Sequence, residues 1–373
     1  MPALRAVILA DFAVPSGGAQ RVALESARAL AEAGVAVTYL HATGTADPLL
    51  HHPAIETIGL GLSDVWDLPR AQGLAAGLWN RPAAARVGQA LAALPGGPKV
   101  LHLHQWTRAF SPAILPACLG SGLPVVVTLH DYFAACPNGV FYRFDRDEPC
   151  DRRPLSAACL VAPCDPRGRA TKAVRVIRTA LTRRALRGPL DFVHVSDRGR
   201  RTIEPFLPPA RHHRVDNPVA VDKAPPAAPA PDGPVAYVGR LTREKGADLV
   251  AQAARAAGIP SLFVGEGPLA DEIRRIDPAA QVLGWRPPEE VAALLRTRAR
   301  ALVAPSRWYE TGPLTVYEAM AQGLPVVVSE RAGAAEKVLH GVTGLVVPPT
   351  VEALADAFRC LDPALGAAAY ARY

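Results

Sequence analysis

The feature that most narrows the fold is a rhythm of short, almost wholly apolar runs, each followed by a turn and an amphipathic stretch. Ala6-Val-Ile-Leu-Ala, Val35-Ala-Val-Thr-Tyr-Leu, Lys99-Val-Leu-His-Leu-His, Pro124-Val-Val-Val-Thr-Leu-His and Asp191-Phe-Val-His-Val-Ser are such runs. They lack the alternation of a half-exposed strand. Near-continuous apolar strands are buried on both faces, which is the habit of parallel sheets covered by helices on each side. Between the first two runs, residues 19–33 place Val22, Leu24, Ala27, Leu30 and Ala31 at helical spacing. Gly34 supplies a left-handed cap. Strand, glycine turn, helix and strand make a βαβ unit.

A chain of 373 residues exceeds one small core, so two domains are expected. Residues 1–217 form the first, with residues 134–169 interrupting the rhythm as an insertion. Residues 218–234 are rich in Pro and Ala and read as a stiff linker. Residues 235–373 form the second domain, with strands expected near Pro234, Pro260, Ala280, Ala301, Pro325 and Gly344. Two doubly wound α/β domains would place a ligand crevice at the carboxyl ends of their strands.

Half of the residues are hydrophobic and a fifth charged, as in a folded soluble protein. The net charge of +7 suits anionic small molecules or acidic lipid surfaces. Nucleic acid is not expected, because the chain carries no zinc finger, no aromatic ribonucleoprotein motif and no helix-turn-helix signal. The N-terminal apolar run is too short for a signal peptide, and no uncharged stretch reaches the ~20 residues that span a bilayer. A cytoplasmic protein is expected, with disulfides disfavoured there.

The chemistry concentrates in the second domain. Val238-Gly239-Arg240 and Lys245-Gly246 set two cations just past a strand end, either solvated surface charges or placed to hold a diphosphate. Val264-Gly265-Glu-Gly267-Pro268 repeats the strand-turn-helix form and is equally consistent with plain turn chemistry. In the stretch from Ala304 to Val328, a strand ends near Pro305 and a loop carries Ser306, Glu310 and Gly312. Pro313 suits a first helical turn. The amides from Leu314 and Thr315 onward would face an anion. Glu318, one turn in, can accept hydrogen bonds from a ribose diol. In the first domain, His130 stands at a strand end beside Asp131, either as a satisfied strand-end histidine or to orient a sugar hydroxyl or relay charge. His102 and His104 alternate on one strand and are read as supporting residues.

Together these elements resemble family 4 of the retaining glycosyltransferases, which adopt the two-domain GT-B fold. The similarity rests on Gly17-Gly18-Ala-Gln-Arg21, the Gly239-Arg240 and Lys245-Gly246 pairs, Glu310 and Glu318 with seven residues between them, Glu318-Ala-Met-Ala-Gln-Gly323-Leu-Pro325-Val-Val, and Gly341-x-x-Gly344. It implies that Arg240 and Lys245 bind the pyrophosphate, that Glu318 binds the ribose and that Glu310 lies close to the transferred sugar. It also implies that His130 contacts that sugar and acts in catalysis, and that Gly18 and Gly312 belong to the ligand-binding set. The implied donor is a UDP- or GDP-type sugar, with no metal or other cofactor required. The acceptor is a glycan, a lipid-linked molecule or a small molecule, as in polysaccharide, lipopolysaccharide or other glycoconjugate synthesis. A sugar-nucleotide epimerase of GT-B type and a non-catalytic sugar-nucleotide-binding partner are the alternatives.

Three features stand outside that pattern. Cys136, Cys150, Cys159 and Cys164 cluster without a C-x-x-C pair, so a structural metal competes with free thiols or a local disulfide. Residues 167–187 carry eight Lys/Arg and no acid, with an apolar side of Ala173, Val174, Val176, Ile177, Ala180 and Leu181. This is either a core helix with a solvated basic face or a helix that lies on the inner face of a membrane. The chain stops at Tyr373, where relatives continue into helices that cross back onto the first domain, which puts closure and full activity in question.

Overall fold

A computed structural model describes residues 4–219, 226–227 and 229–372. Fifteen strands are present among them: β1 Arg5–Phe12, β2 Ala36–Thr43, β3 Ile55–Gly59, β4 Lys99–Gln105, β5 Val125–Leu129, β6 Tyr142–Arg143, β7 Glu148–Pro149, β8 Asp191–His194, β9 Arg211–Arg214, β10 Val235–Val238, β11 Ser261–Val264, β12 Gln281–Val282, β13 Ala301–Ala304, β14 Val326–Ser329 and β15 Leu345–Val347. The first sheet has seven strands in the order β3-β2-β1-β4-β5-β8-β9, and the second has six in the order β12-β11-β10-β13-β14-β15. Every pairing in both sheets is parallel. Both sheets are therefore doubly wound and Rossmann-like.

The apolar runs do what their composition requires. In the second sheet Val235 and Tyr237 pack into one core with Phe263, Val303, Val327, Leu354 and Phe358. Ala236, one residue out of phase, packs into another with Leu262, Leu302, Val326 and Val328. Successive side chains of a strand point to opposite faces, so two cores demand apolar residues at every position. In the first sheet, Ile8, Ala10, Val37 and Tyr39 share a core with Leu24, Ala27 and Ala31 of the helix Gly18–Glu32. That helix ends at Ala33, and Gly34 follows with φ of 83°.

The chain divides into two compact units, and the division is not a single cut. One unit holds residues 1–140, 151–195 and 200–218; the other holds 141–150, 196–199 and 219–373. The insertion expected whole at 134–169 is thus shared: its antiparallel hairpin β6-β7 belongs with the second unit. Of the proposed linker 218–234, residues 220–225 and 228 lie outside the described residues. Of the remainder, the Ala227 amide donates to the Gln322 carbonyl at 2.6 Å and that of Ala230 to Ala299 at 3.3 Å.

The basic helix Arg169–Ala185 departs from the core-helix alternative: Val174, Val176 and Leu181 are half-buried and the rest of its apolar side faces outward. Its buried residues are Lys172, Thr179, Thr182 and Ala185, while Ala173, Ile177 and Ala180 are exposed. Lys172 faces inward among thiols. Its ammonium lies 2.9 Å from Cys164 Sγ and 3.9 Å from Cys159 Sγ, both thiols themselves buried. Burial presses the Lys172 ammonium down, but the adjacent sulfurs outweigh it and hold it above its ordinary value. Cys118, Cys159, Cys164 and Cys360 are free thiols, and among the described residues no group of three His, Cys, Asp or Glu side chains is placed to hold a metal ion.

Candidate active site

In each sheet the strand order reverses beside the first strand, between β1 and β4 and between β10 and β13. Ligands of open α/β sheets settle outside the carboxyl ends of strands at such a reversal. The expected site residues follow those ends: Gly18 after β1, Arg240 and Lys245 after β10, and Ser306 to Glu318 after β13, with His130 after the neighbouring β5.

In the first unit the reversal is organised by Asp11, near the end of β1 and fully buried. Its two carboxylate oxygens accept hydrogen bonds from four consecutive amides. Thr107 and Arg108 donate to Oδ2 at 2.7 and 2.9 Å, and Ala109 and Phe110 donate to Oδ1 at 2.9 and 3.0 Å. Burial pushes the carboxyl up, and the four amides pull against it. This clamp fixes the loop that leaves β4. The same strand end bears Gln105, whose side chain accepts from Gln20 of the helix Gly18–Glu32. Gly17 precedes that helix in an extended conformation, and no side chain caps it.

Three histidines line the same end. His102 Nε2 is 2.7 Å from Thr128 Oγ1, and His104 Nδ1 is 3.0 Å from His130 Nε2. Burial pushes His102 down to about 4. Burial, with the repulsion of His102, pushes His130 to about 3. All are neutral imidazoles near pH 7. Beside them burial lifts Asp131 to about 6, against the pull of the Phe133 amide and Arg178. A recess lies here, lined by His104, Trp106, Thr107, His130, Asp131 and Phe133.

The second unit answers with ions. The hydroxyl of Tyr237 donates to the Arg240 carbonyl at 2.7 Å and pins the loop after β10. From that loop the Lys245 ammonium pairs with Glu310 Oε1, while Glu310 Oε2 accepts from the Ser306 hydroxyl. Lys245 Nζ also lies 5.6 Å above the Trp308 ring. Ser306 and Glu310 are buried, and the Gly333 amide donates to the Glu310 carbonyl at 2.7 Å. Beneath them Arg307 grips the fully buried Asp248 with two parallel bonds of 2.6 and 2.8 Å, and Arg243 adds a third contact of 2.6 Å. Burial alone would raise the Asp248 carboxyl; the two guanidiniums override it and hold it below the usual carboxylate range. Asp147 of the β6-β7 hairpin approaches Arg243 at 3.5 Å.

The structure thus brings Lys245, Glu310 and Ser306 together. Arg240 stands apart: its side chain is 71 % exposed and its nearest carboxylate, Glu244, is 3.9 Å away. Gly312, Leu314, Thr315 and Glu318 are half-buried at the start of the helix Leu314–Ala321, which no side chain caps. Pro313 is the residue before that helix, with ψ of 112°, rather than its first member. Gly246 has a reason other than access for an anion: a Cβ there would lie 2.4 Å from the Pro305 carbonyl oxygen. Likewise a Cβ on Gly265 would meet the Gly239 carbonyl oxygen at 2.0 Å, so that motif is turn packing. Sequence reasoning missed Asp11, Asp248 and Arg307. Asp11 had a signal, an acid closing an apolar first strand, whereas nothing in the sequence couples Asp248 to Arg307, 59 residues apart.

Two family models match the chain: that described as Glycosyltransferase Family 4 over residues 16–223, and that described as Glycosyl transferases group 1 over residues 233–361. The glycogen synthase of Mycobacterium tuberculosis is 39% identical over 142 residues, 34% of this chain and 34% of that protein. The matched region thus spans about a third of the length of that curated relative. Among solved structures, sucrose-phosphate synthase from Thermosynechococcus elongatus superposes with a TM-score of 0.69 at 22% identity, over 99% of this chain and 94% of that one. Anabaena HepE in complex with UDP and glucose superposes with a TM-score of 0.65 at 18% identity, over 98% and 94%. These likenesses show the fold, the GT-B pair of Rossmann-like domains.

Proposed function

The chain belongs to glycosyltransferase family 4, and we propose on that premise that it transfers a sugar, with retention of configuration, from a UDP- or GDP-type nucleotide sugar to an acceptor hydroxyl. The observation that carries this reading is the meeting of Lys245, Glu310 and Ser306 at the reversal of the second sheet. A cation there can neutralise a departing diphosphate as an oxyanion hole does. Lys245 and Arg240 take the diphosphate, joined by the amides of Leu314 and Thr315 at an uncapped helix start. The exposure of Arg240 leaves its guanidinium able to swing onto a ligand. Glu318 takes the ribose, and Glu310 and Gly312 border the sugar. In the first unit His130 is the sugar-facing catalytic residue, and the helix begun by Gly18 contacts the ligand. The acceptor is a glycan, a lipid-linked molecule or a small molecule, and no metal is called for by this set.

A thermal-shift series with UDP-, GDP- and ADP-sugars tests the donor. A ligand at about 100 times its dissociation constant stabilises by ~2.7 kcal/mol. Stabilisation by one nucleotide class, followed by transfer with a retained anomeric configuration, is the expected result. An inverted product overturns the retaining mechanism, and binding without any transfer or hydrolysis overturns the catalytic reading.

A peripheral contact with an anionic membrane is also proposed. Its support is the helix Arg169–Ala185, which exposes Ala173, Ile177 and Ala180 among Arg169, Arg184 and Arg187. Exposed Leu160 and Val161 precede it, and Arg167 stacks at 4.3 Å on exposed Trp66. Apolar side chains within a basic collar suit the boundary of acidic headgroups and acyl chains. No described helix is long and apolar enough to cross a membrane.

A further inference from the structure

One ring at the end of β4 has no role in the reaction proposed above. His104 is 3% exposed, and its Nδ1 is 3.0 Å from Nε2 of His130. Its own Nε2 is buried and has no hydrogen-bond partner among the described residues. His102, two residues earlier, leans on it with ring centroids 4.1 Å apart and is itself engaged with Thr128. Neither His102 nor His104 bonds to a carboxylate among the described contacts. Burial and mutual repulsion keep the rings neutral.

In a bond between two neutral imidazoles one nitrogen carries the hydrogen and the other accepts it. Two arrangements are open. If His130 donates from Nε2, then His104 must bear its own hydrogen on Nε2, as a buried donor without an acceptor. If His104 donates from Nδ1, its Nε2 is a bare acceptor. Buried orphan donors are rarer in folded proteins than under-satisfied carbonyl acceptors, and that preference, carried over to a ring nitrogen, favours the second arrangement. It also determines His130, whose Nε2 is then occupied as an acceptor and whose single hydrogen sits on Nδ1.

We propose that His104 is the positioning residue of this site. By donating from Nδ1 to Nε2 of His130 it holds His130 in the Nδ1–H tautomer, fixes the ring plane and makes His130 a hydrogen-bond donor instead of a proton acceptor. His104 touches no reacting atom and acts only through His130. A donor histidine suits a hydroxyl or ring oxygen of a sugar and cannot deprotonate an acceptor. This consequence rests on the reading of His130 as the sugar-facing residue, whereas the tautomer itself does not.

The test therefore begins without substrate. Protein labelled with 13C and 15N in histidine is measured by NMR near pH 7.5, with His130 assigned from the His130→Asn spectrum. The expected result is the Nδ1–H pattern for His130. It is retained in His104→Asn, whose amide can still donate from nearly the same place, and lost in favour of Nε2–H in His104→Leu. An Nε2–H pattern in the unmodified protein overturns the proposal, as does a Leu variant that leaves His130 unchanged. Should the Leu variant fail to fold, the unmodified protein and the Asn variant decide. The kinetic arm uses UDP-glucose as probe, read as release of UDP. His104→Leu lowers kcat about 10-fold, the rate equivalent of one hydrogen bond. KM stays within about 2-fold, and Asn recovers most of kcat. Equal kcat in the Leu variant overturns the positioning role. Absence of all turnover with every nucleotide sugar bears instead on the glycosyltransferase reading and leaves the tautomer result standing.

Discussion

The two sheets reverse their strand order in the same way, yet their crests are built from opposite materials. At the end of β1, β4 and β5 neutral groups predominate, three imidazoles and two amides, beside the buried carboxyls of Asp131 and of Asp11, whose side chain clamps a loop through four backbone amides. At the end of β10 and β13 they are ionic: Lys245 on Glu310, and Arg243 and Arg307 on Asp248. The contrast fits a division of labour. Neutral donors and acceptors can discriminate hydroxyls without attracting ions. A cation poised on a carboxylate can exchange that partner for a diphosphate at small cost, because the charge is already desolvated and already paired.

The largest expected effect breaks the ionic side. Asp248→Ala leaves two guanidiniums around an emptied, fully buried position, and loss of one partner of a buried ion pair costs about 3–5 kcal/mol. Urea unfolding should show that loss, and an unchanged midpoint would mean that the arginines find other acceptors. Next, Lys245→Ala and Arg240→Ala should each lower turnover by about 100-fold or more, as expected for a lost oxyanion donor worth ~2.7–4 kcal/mol. If turnover is normal in both, the diphosphate lies elsewhere.

On the neutral side, Asp11→Asn replaces one acceptor oxygen by a donor that confronts two amides. Leaving such groups unpaired costs about 1–3 kcal/mol each, and calorimetry checks it. A smaller effect separates the sides by pH. His102 has a folded pKa of about 4 against 6.5 when unfolded. Its neutral burial contributes full stability above about pH 6.5, and that contribution is lost as pH falls toward 4. Asp131, raised from 3.8 to about 6, works in reverse: its contribution is present below 3.8 and lost as pH rises through 6. His102→Gln should thus flatten the loss of stability between pH 7 and 5 by about 1–2 kcal/mol. An unaltered slope would show that the ring takes up its proton without penalty. The smallest effect is at the surface: flotation with phosphatidylserine vesicles should weaken in Ile177→Asp and vanish with neutral lipid, and no flotation at all removes the membrane contact.

Much of the fold was legible because a strand buried on both faces has no freedom in composition. The six strands expected from Pro234 onward all form, at β10 to β15, within a residue or two of the anticipated starts. β9, Arg-His-His-Arg at the edge of its sheet, was illegible because an edge strand in contact with solvent on one side need not be apolar. For the helix 169–185 only the core alternative fails, for a related reason. Periodicity reports which residues share a face, and an apolar face is assigned to the core by default. Here Lys172 lies inward against Cys159 and Cys164, and Ala173, Ile177 and Ala180 lie outward.

The site divides along the same line. The sequence by itself determined which residue types follow which strand ends: Arg240 and Lys245, Ser306 and Glu310, Leu314 to Glu318, Gly18, His130. Local signals suffice there, because glycine turns and helix starts are short-range geometry. Only the tertiary structure decided that Lys245 closes on Glu310, that Arg307 closes on Asp248, that one carboxylate at residue 11 holds four amides near residue 110, and that His104 stands behind His130. Such partnerships join residues far apart in sequence, and they exist because a buried charge or polar group must find a partner wherever the packed chain places one.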